Sequence, residues 1–251
     1  MNPAEYVRLA QVDQHHWFYR GKRHIVRHWI GAYTRLGGDD LLIDGGTGTG
    51  IWPQEMARQC RVLGIDEFEE SLTLARPRLA AVGGEVLKSG LQHVPLPDGL
   101  ASVVTLLDVL EHLDDAEGAF REMLRLTKPG GLLVVTVPAL MWLWSDWDVA
   151  LHHRRRYTKK TLRQTLNQPG AEILRCAYFN TFALPAVALV RAYRRWRPAP
   201  VSNGVPPARM EDRIPGPLLN RMLFWLMTWP ACRAWCAAPL GVSLLAVVRK
   251  R

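Results

Sequence analysis

Cysteine is scarce: Cys60, Cys176, Cys232 and Cys236 are the only four in 251 residues, and no two form a CxxC pair. Their spacing fits neither a zinc module nor a disulfide framework, so reduced thiols are expected. A chain of this length needs no such staple to support a core. Long apolar runs are missing too. Phe182–Val190 and Leu223–Ala231 are the longest, and both fall short of the roughly 18–20 residues a spanning helix needs. The opening stretch MNPAEYVRLAQVDQHHWFYRGKRH has no uninterrupted apolar segment of the kind a secretory leader requires, which predicts a cytoplasmic protein. There is no internal repeat and no low-complexity tract. Acid is the scarcer charge, with 23 Asp and Glu against 32 Lys and Arg, a net +9 that favours an anionic partner: nucleic acid, phospholipid headgroups or a phosphorylated substrate. A composition of 48% hydrophobic and 22% charged residues excludes wholesale disorder, collagen and coiled coil.

What is present is an alternation. Leu41–Asp44 is a short apolar run entering a glycine cluster, Ile51–Gln59 reads as a helix, Arg61–Asp66 as a second strand and Glu69–Arg76 as a helix with its acids early. Glu85–Lys88, Ala101–Leu107, Leu132–Val137, Ala171–Phe179 and Val242–Val248 read as further strands. A helix capped at Asp114 or Asp115 and running to about Leu126, and another over Thr158–Leu166, fall between them. The expected fold is α/β, a doubly wound, mostly parallel seven-stranded sheet. Residues 1–38 are expected to form an N-terminal helical cap, 39–180 the α/β domain, 181–240 an apolar and basic helical insertion, and 241–251 the final strand.

The cluster LLIDGGTGTG at residues 41–50 carries the chemistry. A strand ending in an acid and opening through glycines into a helix bares backbone N–H groups and removes Cβ atoms from a ligand's path. Two phosphate-binding patterns fail on spacing. GxGxxG from Gly46 and Gly48 needs a glycine where Ile51 stands, and the P-loop pattern needs Lys-Ser/Thr where Ile51-Trp52 stand. What remains is Asp44-x-Gly46-x-Gly48-x-Gly50, with a second acid, Asp66, at the end of the next strand, placed to accept from ribose hydroxyls. These residues resemble the class I S-adenosylmethionine-dependent methyltransferases, specifically a bacterial subgroup similar to the ubiquinone/type 11 methyltransferase-domain proteins. Gly64-Ile65-Asp66, Pro95–Gly99, Asp108–Leu113 and Leu126–Gly131 continue the resemblance in order. It implies S-adenosyl-L-methionine as cofactor, held by Asp44, Gly46, Thr47, Gly48, Gly50, Asp66, Glu67, Leu91 and Asp108. Gly90 departs from the pattern, because the family commonly has an acid there. Ser89 or backbone groups are the candidate substitutes.

Asp108, Glu111 and His112 follow the fourth strand. In similar proteins such a triplet holds a divalent cation; here a cation is possible at Asp108, Glu111 and His112 but not expected. His112 and His153 are the candidate general bases, since imidazole titrates near neutral pH. Trp17, Trp144, Asp148, Arg155, Arg156 and Tyr157 are the candidate acceptor-binding residues, the last five resembling a Trp…His-x-Arg-Arg-Tyr loop of the same subgroup. Arg155 and Arg156 either clamp a phosphate or carboxylate or pair with Asp146 and Asp148. The two apolar segments of 181–240, with Trp225, Trp229 and the bases Arg191, Arg194, Arg195 and Arg197, suit a peripheral position on an anionic inner membrane face, packing on the domain, or a dimer. The expected activity is methylation of a small or lipid-linked acceptor, polyprenyl or quinone-like. The alternatives are an RNA-directed enzyme, disfavoured because no nucleic-acid module is visible, and a non-catalytic, membrane-docked cofactor binder.

Overall fold

The computed structural model describes residues 9–196, 214–233 and 238–251. Seven strands, β1 (Leu41–Gly45), β2 (Arg61–Asp66), β3 (Glu85–Lys88), β4 (Ala101–Leu107), β5 (Thr127–Pro138), β6 (Ala171–Phe179) and β7 (Ser243–Lys250), form one sheet in the order β3-β2-β1-β4-β5-β7-β6. Every neighbouring pair is parallel except those made by β7, which runs antiparallel to both β5 and β6. The chain winds outward from β1 through β2 to β3, then restarts at β4 on the other side. That reversal opens a crevice at the carboxyl ends of β1 and β4, where ligands bind in sheets of this kind.

The helices are α1 (Trp17–Tyr33), α2 (Ile51–Met56), α3 (Glu69–Ala80), α4 (Ala116–Leu126), α5 (Asp146–Ala150), α6 (Lys159–Leu166), α7 (Leu184–Trp196) and α8 (Pro217–Ala231). Consecutive strand residues point to opposite faces, so Leu42, Val62 and Val103 pack with Trp29, Trp52 and Met56 on one side, while Ile43, Ile65 and Val104 pack with Phe120, Met123 and Leu162 on the other. Burial on both faces explains why the strands read as continuous apolar runs. Asp115 caps α4 by accepting from Gly118 N at 2.7 Å.

Several boundaries differ from expectation. The second helix stops at Met56 rather than Gln59, because Arg61 N must bond Asp40 O to start β2. α3 continues through Pro77 to Ala80, since Leu72, Ala75 and Leu79 keep the buried face going. β5 begins at Thr127, ahead of the Lys128–Gly131 turn, because Thr127 already pairs with Ala101. The last strand is Ser243–Lys250. The side chains of Arg194 and Arg195, all of Arg197 and the link Pro198–Pro207 lie outside the described residues. Among the described residues no helix is long and apolar enough to cross a membrane.

Candidate functional site

Asp44 ends β1 and Asp66 ends β2, two buried acids on neighbouring strands. Gly46 N and Thr47 N both bond Ile65 O, folding the glycine turn back over β2. Gly48 N then donates to Asp66 Oδ2 at 3.0 Å, Phe68 N donates to Asp66 Oδ1 at 3.1 Å, and the Ser71 hydroxyl stands 2.7 Å from Asp66 Oδ2. Asp44 Oδ1 accepts from Thr105 at 2.7 Å, and Thr105 in turn accepts from Trp52 Nε1. Burial pushes the Asp44 carboxyl up to about 7, against the hydrogen bond from Thr105 and with the Asp66 charge adding to the rise. The two acids therefore stand close enough for each to feel the other's charge.

All three predicted glycines take positive φ, at 70°, 56° and 76°, but for different reasons. A Cβ on Gly46 would stand 2.5 Å from Val109, and one on Gly50 would meet Ala75 and Leu79 of α3 within 3 Å. Gly50 is thus required by helix packing, a reason the spacing of the cluster did not supply. A Cβ on Gly48 would meet only Gly46 O, at 4.0 Å. Gly48 is the glycine whose missing side chain leaves open space. Leu91 packs against Gly45, and Glu67 is exposed just past β2. The Ser89 hydroxyl donates to the backbone of its own loop, at Gly90 O or His93 O, which leaves its oxygen free to accept in place of the acid missing at Gly90.

Asp108, at φ 56°, is taken by a residue whose role the sequence did not disclose. Lys22 of α1 forms an ion pair and hydrogen bond with Asp108 Oδ2, while Thr136 donates to Oδ1 at 3.0 Å. Burial opposes the charge on Asp108, but Lys22 outweighs it and lowers the carboxyl below its ordinary value. The Lys22 charge also acts on Asp44 and Glu111. A cation already stands among three acids, 86 residues from its partner and with no local signal in the sequence.

Glu111 is completely buried, and neither carboxyl oxygen has a hydrogen-bond partner. Burial and the nearby Asp108 charge raise it well above its ordinary value. Burial lowers His112 to about 4, with the His153 charge adding to the shift. The His112 and His153 rings meet edge to face, 4.7 Å between centroids. Donor atoms of Glu111, His112 and His153 lie within 4.8 Å of one another, close enough to share one small cation. This set corrects the expected one: His153 comes in from the loop after β5, and Asp108 is committed to Lys22.

Most of the predicted acceptor loop is structural. Asp148 has no solvent exposure, and it accepts from Ser145 N, from Arg156 Nε at 2.7 Å and at His153 Nδ1 at 2.9 Å, with Arg191 at 3.5 Å. Burial raises its pKa, but the His153 hydrogen bond and the Arg156 charge prevail and hold it at about 2. Arg156 also donates to Ala139 O, and the buried Tyr157 hydroxyl donates to Leu110 O. Arg155 donates to Leu113 O and Asp114 O. The expected anion clamp is therefore spent on the loop's own fold, and Asp148, Arg156 and Tyr157 do not face an acceptor. Trp17 packs its ring 5.7 Å from Phe182 and donates its backbone N–H to Asn220. Trp144 is half-buried. Arg191 is turned inward, not part of an exposed basic cluster. Beside it lies a cavity of about 290 Å³ lined by Trp142, Leu143, Ala188, Leu189, Arg191 and Ala192.

Known proteins resemble this arrangement. Residues 43–135 match the family described as "Methyltransferase domain". A Mycolicibacterium smegmatis protein named "Probable S-adenosylmethionine-dependent methyltransferase" is 30% identical over 164 residues, 64% of this chain and 61% of that protein. The chain thus spans less than two thirds of that relative's length. Among solved structures, geranyl diphosphate C-methyltransferase from Streptomyces coelicolor, in complex with Mg²⁺, geranyl diphosphate and S-adenosyl-L-homocysteine, has a TM-score of 0.58 at 13% identity, covering 90% of this chain and 76% of that one. The cyclase SpnF has a TM-score of 0.59 at 22% identity, covering 91% and 80%. One sheet carries both a methyl transfer and a cyclisation, so this likeness speaks for fold alone.

Proposed function

Residues 43–135 of this chain belong to the methyltransferase-domain family, and on that premise we propose that the chain transfers the methyl group of S-adenosylmethionine to a hydroxyl of an amphiphilic acceptor. The observation that carries this reading is the meeting of buried Asp44 and Asp66 beside the open backbone of Gly48. A hollow lined by acids suits a cationic ligand, and an acid at the second strand's end suits ribose. When bound, S-adenosylmethionine supplies a methyl group on a positively charged sulfur, open to in-line displacement.

The chain's own part is to align and to exclude water. Asp66 accepts from the ribose, Asp44 and Asp108 balance positive charge, and Lys22 gives up Asp108 as they do so. Methyl transfer to a hydroxyl would leave the acceptor oxygen as an oxonium, a far stronger acid than imidazolium. Neutral His112, even with its pKa near 4, therefore has enough basicity to take that proton and pass it to water. The cavity lined by apolar Trp142, Leu143 and Ala188 shares Arg191 with Asp148, the partner of His153, and supports a lipid-linked, polyprenyl or quinone-like acceptor, with Arg191 at the cavity wall for a polar group.

The test is transfer of labelled methyl from the cofactor into separated membrane and soluble extracts. Label in the organic-soluble fraction is expected. Label confined to RNA overturns the acceptor class, and calorimetric cofactor binding with no transfer to any fraction overturns the activity.

A further inference from the structure

Helices α1 and α8 lie side by side and turn very different faces outward. α8 is locked to α1 at its inner positions: Asn220 accepts from Trp17 N at 2.8 Å and donates to His15 O, Ala231 O accepts from Trp29 Nε1, and Met227 seats against Gly21. That leaves Leu218, Leu219, Met222, Trp225, Leu226 and Trp229 outward, Leu218 at 87% exposure and both tryptophans at 52%. Next to this apolar stripe α1 exposes Arg20, His24 and His28, one helical turn apart. The exposed Arg221 and Arg233 complete a basic rim. Arg20 sits over Phe224 and Arg233 over Trp229, at 5.4 and 5.2 Å from the ring centres. Between the helices is a cavity of about 320 Å³ whose lining includes His24, His28, Trp225, Trp229 and Arg233.

We propose that this α1–α8 face docks on an anionic lipid surface, independently of the chemistry at the Asp44–Asp66 hollow. Exposed apolar side chains beside tryptophans and bases match a helix lying at the acyl–headgroup boundary. With 15 residues α8 is roughly 22 Å long, enough to lie flat and too short to span. The charge picks the partner. Neither helix contains an acid, and after Glu172 the chain's only acids are Glu211 and Asp212. A second copy would bring rim against rim with no acid on either helix to pair, and a nucleic acid would leave Leu218, Leu219, Met222 and Leu226 unused. A bilayer takes both, burying the apolar stripe while its phosphates meet Arg20, Arg233 and the His24–His28 cavity.

The experiment is flotation of the full chain with vesicles of phosphatidylcholine alone or with phosphatidylglycerol added, at low and high salt. Binding is expected on the phosphatidylglycerol vesicles, weak on the neutral ones and weakened by salt. Replacing Arg20 and Arg233 by Gln should reduce it about fivefold for each base removed. Trp225→Ser with Trp229→Ser should abolish most of the remainder, with the circular dichroism spectrum and cofactor binding of the variants unchanged. Equal binding to neutral vesicles, no binding to either, or a concentration-dependent dimer that the tryptophan variant dissolves would overturn the proposal.

Discussion

Two buried acids, Asp44 and Asp148, sit about equally deep in this protein and are held in opposite ways. Asp148 is surrounded by its own chain's cations and donors, Arg156, His153, Arg191 and Ser145, and is held at about 2. Asp44 has a hydroxyl partner in Thr105, a like-charged neighbour in Asp66 and no ion pair, with the Lys22 charge only the smallest influence on it, and is held at about 7. Burial is the largest contribution at both, and it raises both. The difference lies in whether compensating charge is built in. Where it is, the acid is structure; where it is left out, the acid waits for a charge from outside. Loops dense in His, Arg and Trp and loops dense in Gly and Asp look equally like sites in a sequence, and this criterion separates them.

The sharpest way to break the comparison is to take compensation away from Asp148. Arg156→Ala leaves a buried carboxylate short of its nearest cation, a change expected to cost about 3–5 kcal/mol, read as a shift of the urea unfolding midpoint. Cofactor affinity of the folded fraction should hold. If stability is retained and cofactor binding is lost instead, Arg156 is a ligand residue after all. Next in size is Asp66. Asp66→Asn keeps an acceptor for only one of Gly48 N and Phe68 N, which bond different oxygens, and removes the charge facing the proposed ribose. Calorimetry should show binding weakened by about tenfold to a hundredfold, the range for a lost charged hydrogen bond. Unchanged affinity would place the ribose elsewhere.

The pH dependence sharpens it further, because the two acids should act with opposite sign. Asp44 has its pKa raised from an ordinary 3.8 to about 7, so its contribution to the free protein's stability is complete below about pH 4 and is lost as pH rises through 7. Asp148 has its pKa lowered to about 2, so its contribution is complete above about pH 4 and is lost as pH falls through 2. A cationic cofactor prefers ionised Asp44. Its affinity should therefore climb with pH on the acid side of 7, by at most about tenfold per unit, and level off above. Asp44→Asn should flatten that slope; a slope surviving in the variant would assign it to another group.

Much of this arrangement was legible because it is local. β1 ends at its glycine cluster, so Asp44 and the turn to Gly48 could be placed from ten residues, and strand alternation located Asp66. Other parts depend on residues far apart. Gly46 and Gly50 looked like cradle positions, yet what forbids a side chain there is Val109 and the Ala75–Leu79 stretch, which no spacing rule connects to them. The His153–Tyr157 loop read as a pocket wall because nothing in its pattern says that Arg156 turns back to Asp148 rather than out to a ligand. His153 joins His112 across 41 residues, and Asn220 joins Trp17 across 203. Arg191 was misjudged for the same reason, since it pairs inward only because α7 crosses the loop that carries Asp148.

Lys22 gives the smallest expected effect and the most direct reading of how the hollow is kept. In the free protein its ammonium neutralises Asp108 and lies near Asp44 and Glu111, so the hollow holds a cation of its own. A cationic cofactor has to displace it, and part of the cofactor's affinity goes into that exchange. Lys22→Ala removes the competitor and leaves Asp108 uncompensated, which moves Asp108 toward the condition of Asp44. Two consequences should appear together: cofactor affinity rises by a few-fold, and the free protein becomes less stable, with the loss recovered on adding cofactor. The paired measurement is calorimetric binding and thermal unfolding with and without the cofactor. A variant that binds more weakly would mean that Lys22 touches the ligand directly rather than standing in for its charge.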